Sequence, residues 1–197
     1  MKNSLLALVF ISINSLAVAG AANGPQPPTV ENVELSRYLG KWNELERIPN
    51  EFQDNIPAGY STCYNTTAEY SLRENGKIDV LNTCYREIDG KAEKVEVAKA
   101  IGRVVRNSGN AKLKVNFTGI ALLRWLGIGD GNYWILGLGA PLKETAPYKW
   151  AVVGSPKLDY GWVLSRTTNL NQNDWDEINE VRLNAGYRLE QFVKTRR

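Results

Sequence analysis

Hydrophobic residues recur at every second position through most of this chain, the periodicity of strands with one buried face. Ala68, Tyr70 and Leu72 share a face, as do Ile78 with Val80, Leu113 with Val115 and Phe117, Tyr133 with Ile135, and Trp162 with Leu164. Turn signals separate these runs: Asn75-Gly76, Asp89-Gly90, Ser108-Gly109, Gly129-Asp130-Gly131, Ala140-Pro141 and Pro156-Lys157. Their spacing predicts an antiparallel meander of strand-length segments, including one around Trp150 and Val152. If the Glu74-Asn75-Gly76-Lys77 turn sets Leu72 opposite Ile78, then Cys84 faces Thr66 and Cys63 falls on the other face. A bond between the two cysteines then requires a bulge or bend between Cys63 and Thr66.

After Arg166 the period changes from two to between three and four. Asn171 or Asn173 is placed to cap a helix carrying Trp175, Ile178, Val181 and Ala185 on one stripe, with Leu183 off it and Gly186 as the stop. Leu189 to Thr195 reads as a short final strand. At the other end, Lys2 precedes an apolar run from Leu5 to Leu16, and small residues follow at Ala17 to Ala22. This is the composition of a secretory leader, cleaved after Ala19 or Ala21, and its apolar core is shorter than a membrane span. Residues 1–21 are therefore assigned to a signal peptide, 22–30 to a Pro-rich tether and 31–197 to one domain.

Composition narrows the chemistry. The chain of 197 residues has a formal charge of +3, one unit of it from the leader's Lys2, so no strong field points to nucleic acid. With no histidine anywhere, Ser-His-Asp triads, Cys-His pairs and His-ligated metals are excluded. No Gly-rich phosphate loop opens a helix, and no cofactor is implied. Cys63 and Cys84 in an exported chain favour a disulfide over a reactive thiol; the bond would close a loop of about 20 residues and contribute about 3 kcal/mol. Glu44, Glu46 and Glu69 are the available carboxylates, and alternation puts Glu44 and Glu46 on the face of Trp42, where salt bridging to Arg47 or Arg166 competes with an acid-base role.

Two blocks point to a family. Tyr38-Leu39-Gly40-Lys41-Trp42 opens the domain and Tyr160-Gly161-Trp162-Val163-Leu164-Ser165-Arg166 lies near its finish. In a closed barrel the first and last strands are neighbours, so Trp42 and Arg166 can meet at one end as a cation–π pair. With Thr67-Ala68-Glu69-Tyr70-Ser71-Leu72 between them, these blocks resemble the bacterial outer-membrane lipocalins and the apolipoprotein D group over roughly residues 30 to 195. The resemblance implies an all-β fold: an eight-stranded antiparallel up-and-down barrel with a C-terminal helix packed outside. It also implies a similarly placed cysteine pair, structural roles for Gly40, Trp42 and Arg166, and a small hydrophobic ligand inside. The residues assigned to that ligand are Tyr70, Leu72, Ile78, Val80, Leu113, Val115, Phe117, Tyr133, Ile135, Trp150, Val152, Trp162 and Leu164.

A fatty acid or lysophospholipid of the cell envelope suits such a wall, since burial is worth about 0.8 kcal/mol per methylene. The expected role is to carry, store or scavenge it as a periplasmic or secreted protein, monomer or homodimer. The lipid-attachment Cys that anchors many relatives is missing from the leader's end. A lipid-modifying enzyme using Glu44 or Glu46, or an envelope-stress protein acting through protein contacts, are the alternatives. One apolar segment, Leu122, Leu123, Arg124, Trp125, Leu126 and Ile128, falls between the fifth and sixth strands. It reads as a membrane-contact loop, a lid over the cavity or a dimer contact.

Overall fold

The computed structural model describes residues 26–54, 58–117, 129–140, 143 and 145–197. The leader and the whole 120–128 segment lie outside the described residues. A short helix, α1 (Leu35–Tyr38), leads into eight strands: β1 (Gly40–Arg47), β2 (Tyr64–Leu72), β3 (Ile78–Ile88), β4 (Ala92–Val104), β5 (Lys112–Asn116), β6 (Asp130–Leu138), β7 (Trp150–Gly154) and β8 (Gly161–Ser165). Each pairs antiparallel with the next, and β1 pairs with both β8 and β2, so the sheet closes on itself as a barrel. Helix α2 (Gln172–Asn184), a 3-10 turn (Leu189–Gln191) and the two-residue β9 (Val193–Lys194) complete the fold.

The turns form where glycine and asparagine allow a left-handed backbone. Asp89 and Gly90, with φ of 49° and 68°, lie in the three-residue turn that joins β3 to β4, where the Lys91 N–H donates to the Ile88 carbonyl at 3.0 Å. Leu72 does pair with Ile78, and one extra residue enters β2 between Tyr64 and Thr67, where Asn65 has φ of 47°. That bulge turns Cys63 toward Cys84, and the two form a disulfide with Cα atoms 5.4 Å apart. Reducing this bond is expected to cost about 2–4 kcal/mol, read as a lower denaturation midpoint in dithiothreitol than in buffer; an unchanged midpoint would leave the bond no structural role.

The outer layer follows the helix pattern. Asn171 caps α2, accepting from the Asp174 N–H at 2.9 Å while the Asp174 carboxylate accepts from the Asn171 N–H at 3.2 Å, a reciprocal capping box. Ile178, Val181 and Trp175 pack against Leu45, Trp134, Leu136, Trp150, Val152 and Val163 on the barrel's outer wall, and Leu183 is exposed. Gly137 lets the helix come this close: a Cβ there would sit 2.6 Å from a Val181 methyl. The final strand is shorter than the sequence suggests. It lies against the second half of β1, where β2 has diverged, and the Asn65 N–H donates to the Arg196 carbonyl at 2.8 Å to fill the gap.

Among the described residues no helix is long and apolar enough to cross a membrane.

Candidate functional site

One end of the barrel is plugged. The segment before β1 folds across it, with the Val30 N–H donating to the Ile135 carbonyl and the Val33 N–H to the Gly109 carbonyl; the Pro-rich tether is thus already docked at Val30. Tyr38 and Trp42 are buried here, their rings 5.2 Å apart. The Arg166 guanidinium lies 3.7 Å from the centre of the Trp42 ring and donates to the carbonyls of Arg37, Tyr38, Leu39, Lys41 and Tyr148. Gly40, at φ of 90°, makes the turn over this guanidinium. One cation therefore stacks on the floor and ties α1, β1 and the chain before β7 together.

Above the floor, the expected inward faces converge. Tyr70, Ile78, Val80, Leu113, Val115, Ile135 and Leu164 form one buried cluster with Trp42 and Tyr38, and Tyr133 and Trp162 pack partly buried against it. Leu72 shares that parity but is exposed at the β2–β3 hairpin, and Phe117 is exposed at the far rim. Trp150 and Val152 must be corrected: they point outward, under α2. Every residue of β7 is buried because both faces are covered, so alternation carries no phase there. The register supplies it, since Ala151 lies beside Leu164 and Val153 beside Trp162, both in the interior row.

Sequence reasoning also passed over the small residues. Ala68, Asn82 and Ala98 form one inward row across β2, β3 and β4, with Ala100 beside Val80 in the next row and Gly131 beside Val115. Ala98 and Gly131 are exposed although they lie on inward rows. A small side chain opposite the aromatic wall leaves room, and inward alanines or glycines between strand-forming residues were the available signal.

Tyrosines make the polar part of the floor. The Tyr133 hydroxyl bonds those of Tyr38 at 2.6 Å and Tyr70 at 2.8 Å. Burial holds the Tyr38 and Tyr133 hydroxyls well above their ordinary pKa and pushes Tyr70 up to about 12, so all three stay protonated at neutral pH.

Nearer the open end a charged network lines the wall. The Glu44 carboxylate accepts from Thr195 Oγ1 at 2.6 Å, Gln53 Nε2 at 2.8 Å and Arg47 at 3.3 Å, and Arg47 also pairs with Asp54. Arg86 pairs with Glu96 at 2.7 Å and donates to the carbonyls of Phe52, Gln53 and Ser61, bolting the first open-end loop to the wall. The indole N–H of Trp162 donates to Gln53 Oε1 at 3.2 Å, and the ring stacks on Tyr160. Burial raises the Glu44 carboxyl above the usual carboxylate range despite its hydrogen bonds. Burial alone would do the same to Asp54, but hydrogen bonds from Arg47 and the Asn50 N–H hold it below that range.

Glu46 departs from expectation. A bulge in the β1–β8 pairing between Glu44 and Glu46 reverses the alternation, and Glu46 points outward to Arg182 of α2 at 2.6 Å. Glu69 is exposed on the outer face. Glu44 alone of the three lies in the interior.

A closed antiparallel barrel with a Trp–Arg floor and one outer helix is the architecture, and residues 33–197 match the lipocalin-like domain. The chain belongs to the lipocalin-like family. It is similar to temperature-induced lipocalin-1 of Arabidopsis thaliana, 29% identical over 84% of this chain and 80% of that protein. It is likewise similar to the outer membrane lipoprotein Blc of Escherichia coli K12, 30% identical over 96% of this chain and 95% of that protein. Apolipoprotein D of Macaca fascicularis is 27% identical over 89% of this chain and 88% of its own length. Among solved structures, insecticyanin from the tobacco hornworm Manduca sexta superposes with a TM-score of 0.59 at 17% identity, covering 87% of this lipocalin and 84% of insecticyanin.

Proposed function

We propose that this lipocalin binds a small hydrophobic molecule inside its barrel and carries, stores or scavenges it in an exported compartment. The observation that carries this reading is the inward face itself: an apolar and aromatic wall over a sealed floor, with Ala98 and Gly131 left accessible on its inner rows. Burying a hydrocarbon tail of about 14 carbons gains roughly 11 kcal/mol before ordering and association costs, enough for micromolar binding or better. The leader-like composition of residues 1–21 and a disulfide of the kind that persists in oxidising compartments support a periplasmic or secreted location for this reading. Both cysteines are spent in that bond, so this reading assigns no thiol-linked lipid, although some curated relatives are named lipoproteins.

Bulky side chains on the inward rows test the reading. Ala98→Trp combined with Gly131→Leu should abolish binding of the apolar fluorophore N-phenyl-1-naphthylamine while thermal unfolding stays cooperative. A Cβ at position 131 meets only the Val115 carbonyl oxygen at 3.5 Å, so the change fits the backbone. Val97→Trp, on the outer face beside Ala98, should leave binding intact. Equal binding by all three proteins would refute an interior site.

A further inference from the structure

Strand β4 is longer than one of the two neighbours that flank it. It pairs with β3 from Ala92 to Gly102, but with β5 only from Ile101 to Val104. No described residue pairs with the other side of residues 92–100, and every residue from Glu93 to Lys99 except Glu96 is exposed. The ladder tells which backbone groups this leaves open. The Val105 N–H donates to the Lys112 carbonyl at 2.9 Å, in register with the Ile101–Asn116 pair, so odd-numbered residues of β4 turn their N–H and C=O groups toward β5. Beyond Ile101 the same groups of Lys99, Val97, Val95 and Glu93 meet no described partner. Their side chains share the outer face, where Val95 and Val97 are 52% and 54% exposed and Tyr85 of β3 lies beside Val95.

A bare edge carrying two exposed valines is a template for another strand. Its own limits select the register in which a copy of itself fits. The β3–β4 turn ends the open run at residue 92, and β5 ends it at residue 100. Laid antiparallel so that both open runs overlap completely, two copies meet about a two-fold axis at Glu96. Lys99 of the second copy then stands opposite Glu93, and Val97 of the second copy opposite Val95. Odd residues face odd residues, so every open N–H and C=O finds a ladder partner. The charges agree with this register: an acid meets a base at each end, with valine pairs between them, and the two-fold axis repeats each contact. On the inner side Lys94 comes opposite the small Ala98 of the second copy. The two Glu96 carboxylates that approach the axis are each already paired with Arg86 and Lys94 of their own chain. An edge guarded by lysines alone would repel its copy, whereas this one is acidic at one end and basic at the other.

We propose that the open edge of β4, from Glu93 to Lys99, pairs antiparallel with the same edge of a second copy of this chain, joining two barrels through one continuous sheet. The contact is isologous and closes after two copies, because pairing consumes the open edge of both. It leaves each barrel its own interior, so the inference is independent of what the barrel binds.

Sedimentation velocity of the full chain from about 1 to 200 µM tests this, with circular dichroism to verify the fold of each variant. The wild type should form a dimer as concentration rises. Glu93→Lys and Lys99→Glu each place like charges opposite one another at both ends, and each should weaken association about 10-fold or more. An equimolar mixture of the two variants should dimerise as the wild type does, and so should Glu93→Lys with Lys99→Glu in one chain, because both restore the opposite pairs. A wild type that stays monomeric overturns the proposal: slow amide exchange at Val95 and Val97 would then mean an edge covered within the chain, and fast exchange an edge left for an extended segment of another protein. A dimer that survives both single reversals, or single variants that mixing does not rescue, overturns it equally.

Discussion

Trp42→Ala should cost about 3–5 kcal/mol in urea denaturation, the largest effect of any single apolar truncation here. Trp42 is fully buried, its ring tilted against that of Tyr38 and lying under the Arg166 guanidinium, and its indole N–H donates to the Tyr38 carbonyl at 2.8 Å. Truncation leaves a cavity at the floor and removes the surface on which the cation rests. Arg166→Met should be comparably harmful for a different reason, because carbonyls of Arg37, Tyr38, Leu39 and Lys41 lose the donor that faces them. In both variants the segment 26–39 should become sensitive to limited proteolysis while α2 stays protected. The double variant should cost less than the sum of the singles, since the two side chains share one interaction. Purely additive losses, or a Trp42→Ala loss below about 1 kcal/mol, would remove the Trp–Arg floor as the element that seals the barrel.

Arg47→Met should lose a similar 3–5 kcal/mol, because it strands buried Glu44 and frees Asp54 while both still demand a cation. Arg47 and Glu44 side chains are 4% and 5% exposed, so solvent cannot take over. Adding Glu44→Gln to Arg47→Met should recover much of the loss. Glu44→Gln alone has a pH signature. The folded-state pKa of Glu44 lies above its unfolded value, so its contribution is present at low pH and is lost as pH rises through the folded pKa. Relative to Glu44→Gln, the wild type should therefore lose stability as pH climbs above the usual carboxylate range. Asp54 runs the other way: its depressed pKa contributes stability that disappears as pH falls through the acidic range. A pH-independent difference between wild type and Glu44→Gln would mean that Glu44 titrates normally and that burial does not govern it.

Wherever one face of a strand is buried and the other is wet, the chain announced its own geometry. Alternation placed Tyr70, Ile78, Val80, Leu113, Val115, Tyr133, Ile135, Trp162 and Leu164 toward one interior, and the Asn75-Gly76 turn set the Leu72–Ile78 register that demanded a bulge beside Cys63. The helix stripe and its Asn171 cap were equally local, since capping and side-chain periodicity involve residues only a few positions apart. Tertiary structure decided the positions at which that local code is silent or interrupted. In β7 both faces are covered, so only pairing with β8 revealed that Trp150 and Val152 support the helix. In β1 a bulge against β8 sent Glu46 outward and kept Glu44 inside, a choice made by a partner strand more than a hundred residues away. The open edge of β4 belongs to the same class, because a strand's free side becomes informative only when the fold has assigned its partners along the other.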